Sequence, residues 1–351
     1  MKRYRALTAF ACATLILPAA AGAQTIRVSE HAARAVARER TTVAYQRGEN
    51  RQELTDRTTR VLRIGASGEL DVSNIAGDIV VTRSGGNEAS IEIVKTARAR
   101  TPEDAREMLG LVTVEVSERN GRGEVRTRYP QGEDRRNRRN INVSVAYTIA
   151  APANARLTVK SISGNISVTD IKGDLSLETV SGDVRIGNAG RITSAKSVSG
   201  GVQIADTRVD GALEASSVSG TVAARRVEAR RLALGSVSGN VILDTVTCER
   251  ADANTVSGDV EFSGPIARSG RYELKSHSGD VRVAVAGGAG FEVDASSWSG
   301  SVRADMPLTL RTQQGERDRN GRSKSIKGTF GDGSAFLTLT TFSGSIVITR
   351  R

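Results

Sequence analysis

The sequence predicts an all-β fold in which short strands wind into a solenoid with coils of about 19 residues. The first observation is the dipeptide Ser-Gly, which recurs from residue 164 onwards. Its glycines are Gly164, Gly182, Gly200, Gly220, Gly239, Gly258, Gly279, Gly300 and Gly344. Neighbours in this series lie 18 to 21 residues apart, except for a final interval of 44 residues, which is about two periods. The second observation is the consensus around the dipeptide, L-x-L-x-S/T-V-S-G-x-V-x-I/V, which alternates like a strand.

The length of the period separates two all-β architectures. At about 3.3 Å per residue, about 19 residues trace a path of roughly 60 Å, which suits one coil of a solenoid. A propeller blade needs about 40 residues and four strands, twice the period of this chain. Stacked coils place parallel strands side by side, with leucines and valines inside and polar residues outside. The period therefore favours the solenoid over the propeller.

The recurring glycine is expected at a corner of each coil. Alternate residues of a strand share one face, so Val180, Gly182 and Val184 are expected in one apolar row. Leu177 and Val180 lie three residues apart, which indicates a bend, and glycine tolerates the close backbone approach that a bend requires. The predicted structural corner glycines are the nine of the series and Gly77, in "NIAGDIVV".

The chain divides into four predicted regions. Residues 1–23 are a signal peptide, and 24–60 are a polar linker or N-terminal cap. Residues 61–155 are an N-terminal β region continuous with the solenoid, with a short helix near 102–109. The regular repeats occupy 156–351, and the final "SIVITRR" is expected to form the last strand of the stack.

The first residues predict export. A basic "MKRYR" precedes about 15 apolar residues and an A-x-A cleavage site that ends at Ala23. No later apolar run approaches the roughly 20 residues of a transmembrane helix. We therefore expect no transmembrane segment and a protein that is periplasmic, on the outer surface, or secreted. Cleavage removes three basic residues from a chain of net charge +11, and it leaves Cys248 as the sole cysteine. An exported chain with one thiol holds no internal disulfide.

Three segments resemble a known family. These are "GELDVSNIAGDIVV", "YTIAAPANARLTVKSISGNISV" and the closing "SIKGTFGDGSAFLTLTTFSGSIVIT", together with the repeated "VSGDV". Over roughly residues 61–351 the chain is similar to exported bacterial β-strand-repeat proteins, a "putative adhesin" family of unknown function. The resemblance implies a right-handed, parallel β-helix-like solenoid in the envelope or outside the cell, and it transfers no catalytic residue.

Residue types that carry chemistry are present but not grouped. Aspartate follows some corner glycines, as at Asp183, but the row is interrupted too often for a calcium ladder, which needs several oxygen ligands per ion. Serine precedes nearly every corner glycine, and a serine nucleophile needs a nearby base. The chain has only His31 and His277, and His277 takes the valine slot of its repeat, as Trp298 does, which indicates packing. We predict no catalytic residue, cofactor or metal.

The segment 119–140 holds eight arginines and three acids. Arginine forks suit phosphate and carboxylate, so Arg135, Arg136, Arg138 and Arg139 are candidate polyanion-binding residues. A solvated loop is the alternative reading of the same charges. Only Tyr129 is aromatic in this segment, so base stacking, and with it specific nucleic-acid recognition, is not predicted.

Together these features predict a non-catalytic, exported β-solenoid that acts as an adhesin-like or structural interaction module. Its expected partner is an envelope or extracellular glycan or protein. Two alternatives stay open: a polysaccharide-active β-helix enzyme, with acidic and basic residues in one groove, and a polyanion-binding protein that uses the arginine-rich loop 119–140.

Overall fold

The computed structural model describes residues 42–48, 51–130, 141–310 and 324–351, with side chains from residue 52 onwards. The N-terminal strands are β1 (Thr42–Gly48), β2 (Arg51–Leu62), β3 (Glu69–Ala76), β4 (Ile79–Ser84), β5 (Ala89–Ala99), β6 (Thr113–Arg119), β7 (Arg122–Arg128) and β8 (Val143–Pro152). The repeat strands are β9 (Arg156–Ser163), β10 (Ile166–Thr169), β11 (Asp174–Ser181), β12 (Val184–Gly187), β13 (Arg191–Ser199), β14 (Val202–Ser219), β15 (Val222–Ser238), β16 (Val241–Asp244), β17 (Thr247–Ser257), β18 (Val260–Ile266), β19 (Arg271–Ser278), β20 (Val281–Gly288), β21 (Phe291–Ser297) and β22 (Val302–Asp305). The closing strands are β23 (Thr309–Leu310), β24 (Ser325–Phe330), β25 (Ala335–Ser343) and β26 (Ile346–Arg350).

One helix, α1 (Pro102–Leu111), interrupts the strands of the described chain. Its first turn is capped because the side chain of Thr101 accepts a hydrogen bond from the backbone N–H of Asp104, at 3.1 Å. Ala105 and Leu109 are buried. This helix confirms the predicted short helix near 102–109. The strands that make up nearly all of the remaining described chain, and the ladders that they form, confirm the predicted all-β solenoid.

Two ladders of parallel strands run along the solenoid. The leading sheet holds the strands that precede the corner glycines: β3, β9, β11, β13, the second part of β14 and of β15, β17, β19, β25 and β21. The trailing sheet holds those that follow the corners: β8, β4, β10, β12, the first part of β14 and of β15, β16, β18, β20, β26 and β22.

The last two coils exchange places relative to the chain order. Strand β25 lies between β19 and β21, and β26 lies between β20 and β22. The 44-residue interval between Gly300 and Gly344 includes the antiparallel strand β24, which pairs with the outer edge of β21. The expectation that "SIVITRR" ends the stack is therefore wrong. The chain end lies inside the stack, and antiparallel pairing covers the β21 edge, as exposed strand edges require.

The buried rows of both sheets form one apolar core. In a typical coil Leu175 and Leu177 are buried before the corner and Val184 and Ile186 after it. Val180, however, is 49% exposed. The expectation that Val180 shares the row of Val184 is wrong, because the change of face occurs at the Ser-Gly corner itself. The residues just before that corner both point outward.

Candidate binding face

The corner glycines stack on one another along the solenoid. A Cβ atom added to Gly182 would lie 2.2 Å from the carbonyl oxygen of Gly164, and one added to Gly200 would lie 2.1 Å from that of Gly182. A Cβ atom added to any of the predicted corner glycines would lie 1.9 to 2.3 Å from a backbone oxygen of the neighbouring coil. Backbone atoms of a sheet cannot step aside as a side chain can. These positions therefore leave no room for a side chain.

A buried hydroxyl row supports the same corners. The residue three positions before the glycine is a buried Ser or Thr in most coils, and in most of these its hydroxyl donates to the corner carbonyl of the neighbouring coil. The bond from Ser217 Oγ to the oxygen of Gly200 measures 2.8 Å. Asn74 replaces the hydroxyl in the first coil, where its Nδ2 donates to the oxygen of Gly77 at 2.9 Å. The repeated Ser/Thr position is thus part of the scaffold.

The Asp or Asn after the glycine also joins one coil to the next. Asp183 Oδ1 accepts a hydrogen bond from the backbone N–H of Gly201 at 2.8 Å, and Asp259 Oδ1 accepts one from that of Asp280 at 2.9 Å. Burial alone would raise the pKa of Asp259, but the bond from Asp280 and the guanidinium of Arg282 hold that pKa below its usual value. These carboxylates bind backbone N–H groups of the scaffold.

The outward rows of the leading sheet are free of such scaffold roles. They lie two, four, six and eight positions before most corner glycines, but a bulge in β13 places Arg191, nine positions before Gly200, in register with the outermost row. We call their combined surface the binding face. The row two positions before the glycine is apolar or aromatic throughout, and we call it the apolar ladder. In spatial order it consists of Ile75, Ile162, Val180, Val198, Val218, Val237, Val256, His277, Phe342 and Trp298.

The apolar ladder is a continuous exposed stripe. Its aliphatic members from Ile162 to Val256 are each about half exposed. Ten positions at the usual strand spacing of about 4.8 Å span roughly 43 Å. Single exposed valines are ordinary on protein surfaces, whereas a contiguous exposed apolar stripe is typical of interaction sites.

The ladder ends in stacked aromatic rings. The rings of His277 and Phe342 lie 4.9 Å apart and nearly parallel, and those of Phe342 and Trp298 lie 6.0 Å apart and nearly parallel. Trp298 is 71% exposed, so the expectation that this repeat slot is a packing position is wrong. Because the rings face one another along the axis, they present their edges outward and prolong the apolar stripe.

Shallow grooves follow the ladder. One groove of about 640 Å³ is lined by Val180, Val198, Val218 and Val237 of the ladder and by Lys196, among others. A second groove of about 490 Å³ lies beside the aromatic end. Both volumes are in the range of small-ligand sites, but these grooves are open and elongated.

The order of the chain's repeats and this architecture agree with one known family. A family profile described as Toastrack DUF4097 matches residues 67–349, which include nearly all of the two sheets. The chain belongs to the Toastrack DUF4097 family. A search of curated proteins finds no match to it.

Several solved structures are similar to this Toastrack chain. A "putative adhesin" from Bacteroides fragilis is 16% identical, with 84% of this chain and 97% of that chain covered and a TM-score of 0.41. A "putative lipid binding protein" from Parabacteroides distasonis is 11% identical, with 83% and 96% covered and a TM-score of 0.39. The predicted resemblance to a bacterial repeat family of unknown function is confirmed by the family profile. At these scores the neighbours give no information about a partner.

The predicted site residues of the Toastrack chain fall in two groups. Arg135, Arg136, Arg138 and Arg139 lie outside the described residues. The corner glycines lie in the stack described above.

Within the described ranges no group of three or more His, Cys, Asp or Glu side chains is placed to hold a metal ion, and no helix is long and apolar enough to span a membrane. Cys248 is buried, and burial raises the pKa of its thiol to about 12.

Sequence reasoning missed the binding face, although a signal for it exists. The slot two positions before the glycine holds Ile, Val, His, Phe or Trp in different coils of this one chain. Closely packed interiors do not accept such changes of volume. A slot that varies so widely within a regular repeat indicates an outward position.

Proposed function

We propose that this Toastrack chain is a non-catalytic, adhesin-like interaction module of the bacterial envelope or exterior, and that it binds an extended partner along the apolar ladder. The observation that carries the proposal is the ladder itself, ten consecutive coils with an outward apolar or aromatic side chain. The partner is a glycan or a protein. Export through residues 1–23 is part of the proposal, as is a solenoid that begins in the region 61–155.

The pairing of β3 with β9 and of β4 with β10 supports that last point, because it joins the N-terminal strands to the repeats. The division of the chain into 1–23, 24–60, 61–155 and 156–351 is a proposal of the same kind. Fractionation of cells, with N-terminal sequencing of the mature protein, tests the exported location and cleavage near Ala23. Protein that stays in the cytoplasm with an intact N-terminus contradicts it.

The exposed side chains of the ladder also have a structural role in the sheet. Valine favours strands, and neighbouring valines on one face stabilise a sheet by cross-strand contact. The rings of His277, Phe342 and Trp298, which stack across neighbouring strands of the same row, contribute to the sheet in the same way. The structural role and the binding role make separable predictions. Threonine keeps the branched Cβ of valine and its strand preference, so it preserves the structural role and removes only the apolar surface.

The size of the binding effect follows from exposure. Full burial of a valine side chain is worth about 1.5–3 kcal/mol, so covering a half-exposed one contributes roughly 1 kcal/mol. Three such positions contribute at most roughly 3 kcal/mol, and every 1.4 kcal/mol is tenfold in affinity. We therefore expect the variant V198T/V218T/V237T to bind its partner about tenfold to a hundredfold more weakly.

The test is co-sedimentation of the mature protein with a panel of sacculi, lipopolysaccharide, extracellular polysaccharides and matrix proteins. The matched control carries V61T, V80T and V347T, outward valines outside the ladder. We expect binding to at least one polymer, its loss in the ladder variant, and its retention in the control. Binding to no polymer, or equal binding by both variants, contradicts the proposal. Release of shortened products from a polysaccharide contradicts its non-catalytic part and favours the enzyme.

A further inference from the structure

Three arginines lie side by side in the outward row of the binding face that is farthest from the apolar ladder. The row eight positions before the corner glycine holds Arg231, Arg250 and Arg271 on three neighbouring strands, in direct register. At the usual strand spacing the three positions span about 10 Å. Like charges directly opposite one another destabilise a sheet. The register of these three like charges is therefore unfavourable for the sheet.

The same row at the other end of the solenoid shows what a structural arrangement looks like. There Arg156 and Arg191 flank Asp174, with N–O distances of 3.3 and 3.0 Å. Opposite charges alternate from strand to strand, which is the pairing that supports a sheet. The three-arginine row departs from this pattern within a single chain.

Two of the three arginines lack a partner in the described chain. Arg231 is paired with Asp252 at 2.7 Å. Among the described residues, the guanidinium groups of Arg250 and Arg271 make no ion pair or hydrogen bond. Glu273, which lines the same pocket, pairs with Lys275. The pocket therefore holds uncompensated positive charge from two side chains.

The pocket is of a size that suits a ligand. It encloses about 590 Å³ and is lined by the three arginines, Asp252, Glu273 and Phe336, among others. Phe336 continues the arginine row on the next strand and is 48% exposed. A half-exposed phenylalanine beside unpaired guanidinium groups gives the pocket one apolar wall. Sites for small ligands combine such an apolar wall with a few convergent polar groups.

The pocket presents both basic and acidic side chains, and this combination indicates which class of ligand it can bind. Arginine forks bind carboxylate oxygens bidentately. Asp252 and Glu273 are acceptors, so they suit a ligand that also brings hydroxyl donors. A DNA strand carries a phosphate on every nucleotide but no free sugar hydroxyl along its chain from which these two acids could accept a hydrogen bond. An acidic polysaccharide carries carboxylates, many hydroxyl groups and sugar faces that an aromatic ring can cover.

We propose that Arg231, Arg250, Arg271 and Phe336 form a binding site for a linear, carboxylate-bearing polysaccharide. The site lies across the binding face from the apolar ladder and does not depend on it. It also differs from the arginine-rich loop 119–140.

The test measures the affinity of the mature protein for polygalacturonate oligomers by isothermal titration calorimetry. Methyl-esterified oligomers keep the same sugar chain without its charges, and an oligo-dT strand probes nucleic-acid binding. We expect the variant R250Q/R271Q to bind polygalacturonate at least about tenfold more weakly, because the charged hydrogen bonds from both guanidinium groups to carboxylates are lost. R250K/R271K keeps the charge without the fork and should lose most of that affinity as well.

The matched control is R156Q/R191Q, which removes two arginines from the same row where they pair with Asp174. It should bind polygalacturonate like the wild type, as should V198T/V218T/V237T. The melting temperature of R250Q/R271Q should be unchanged or raised, since like charges are removed. Equal binding by R250Q/R271Q and the wild type would overturn the proposal. So would equal binding of the esterified oligomers, or tighter binding of oligo-dT through the same arginines.

Discussion

The substitution Gly182→Ala should destabilise the solenoid although it adds a single methyl group. Its Cβ atom would lie 2.2 Å from the carbonyl oxygen of Gly164, and Gly182 has a φ of +146°. A side chain at such a φ costs about 1–3 kcal/mol in strain, and forced overpacking costs about 1–3 kcal/mol more. We therefore expect a loss of about 2–6 kcal/mol in the free energy of unfolding.

The matched control is Gly187→Ala in the same coil. There the nearest atom to an added Cβ is 3.8 Å away, and the partner position in the next coil is already Ala205. Replacing glycine by alanine at a compatible strand position changes stability by less than about 1 kcal/mol. Urea unfolding followed by circular dichroism measures both variants. If Gly182→Ala unfolds at the same urea concentration as Gly187→Ala, the glycine stack is not a packing requirement.

Two further predictions concern buried groups. Ser217→Ala removes the 2.8 Å hydrogen bond to the oxygen of Gly200 and should lower the free energy of unfolding in urea by about 1 kcal/mol. The control Ser219→Ala, at an exposed position, should change that free energy little. Equal effects of the two substitutions would contradict a stabilising role of the hydroxyl row. Burial raises the pKa of the Cys248 thiol from 9.0 to about 12, so its contribution to stability is present below pH 9 and is lost as pH rises towards 12. Native protein at pH 8 should therefore not react with a thiol reagent that labels the urea-unfolded chain, and rapid labelling of the native state would contradict this burial.

The repeat predicted much of the fold because one period repeats the same physical demand. A glycine every 18 to 21 residues indicates a corner that must stay free of side chains, and stacked backbones impose that demand at each coil. The exchange of the last two coils was not predictable from the pattern. Coils with equivalent patterns can pair in more than one order, and the alternation of apolar residues does not choose between them.

The sequence did not predict the binding face because the alternation of inward and outward residues was assumed to continue unchanged through the Ser-Gly corner. Alternation from Val184 back to Val180 assigns the valine to the core, whereas the chain changes face at Gly182. The arginine row was missed for a different reason. Arginines that are close in sequence indicate a basic segment at 119–140, whereas Arg231 and Arg250 become neighbours only when coils stack in register.

In the proposed function, different rows of one repeat have different tasks: the corner and hydroxyl rows build the solenoid, and the apolar ladder binds the partner. The most direct test measures melting temperature and binding to the co-sedimenting polymer in parallel for Ser217→Ala and V198T/V218T/V237T. Ser217→Ala should lower the melting temperature and, below it, keep full binding. The ladder variant should keep its melting temperature and bind about tenfold to a hundredfold more weakly. A ladder variant that loses stability while retaining its affinity would show that the valines serve the sheet and not a partner.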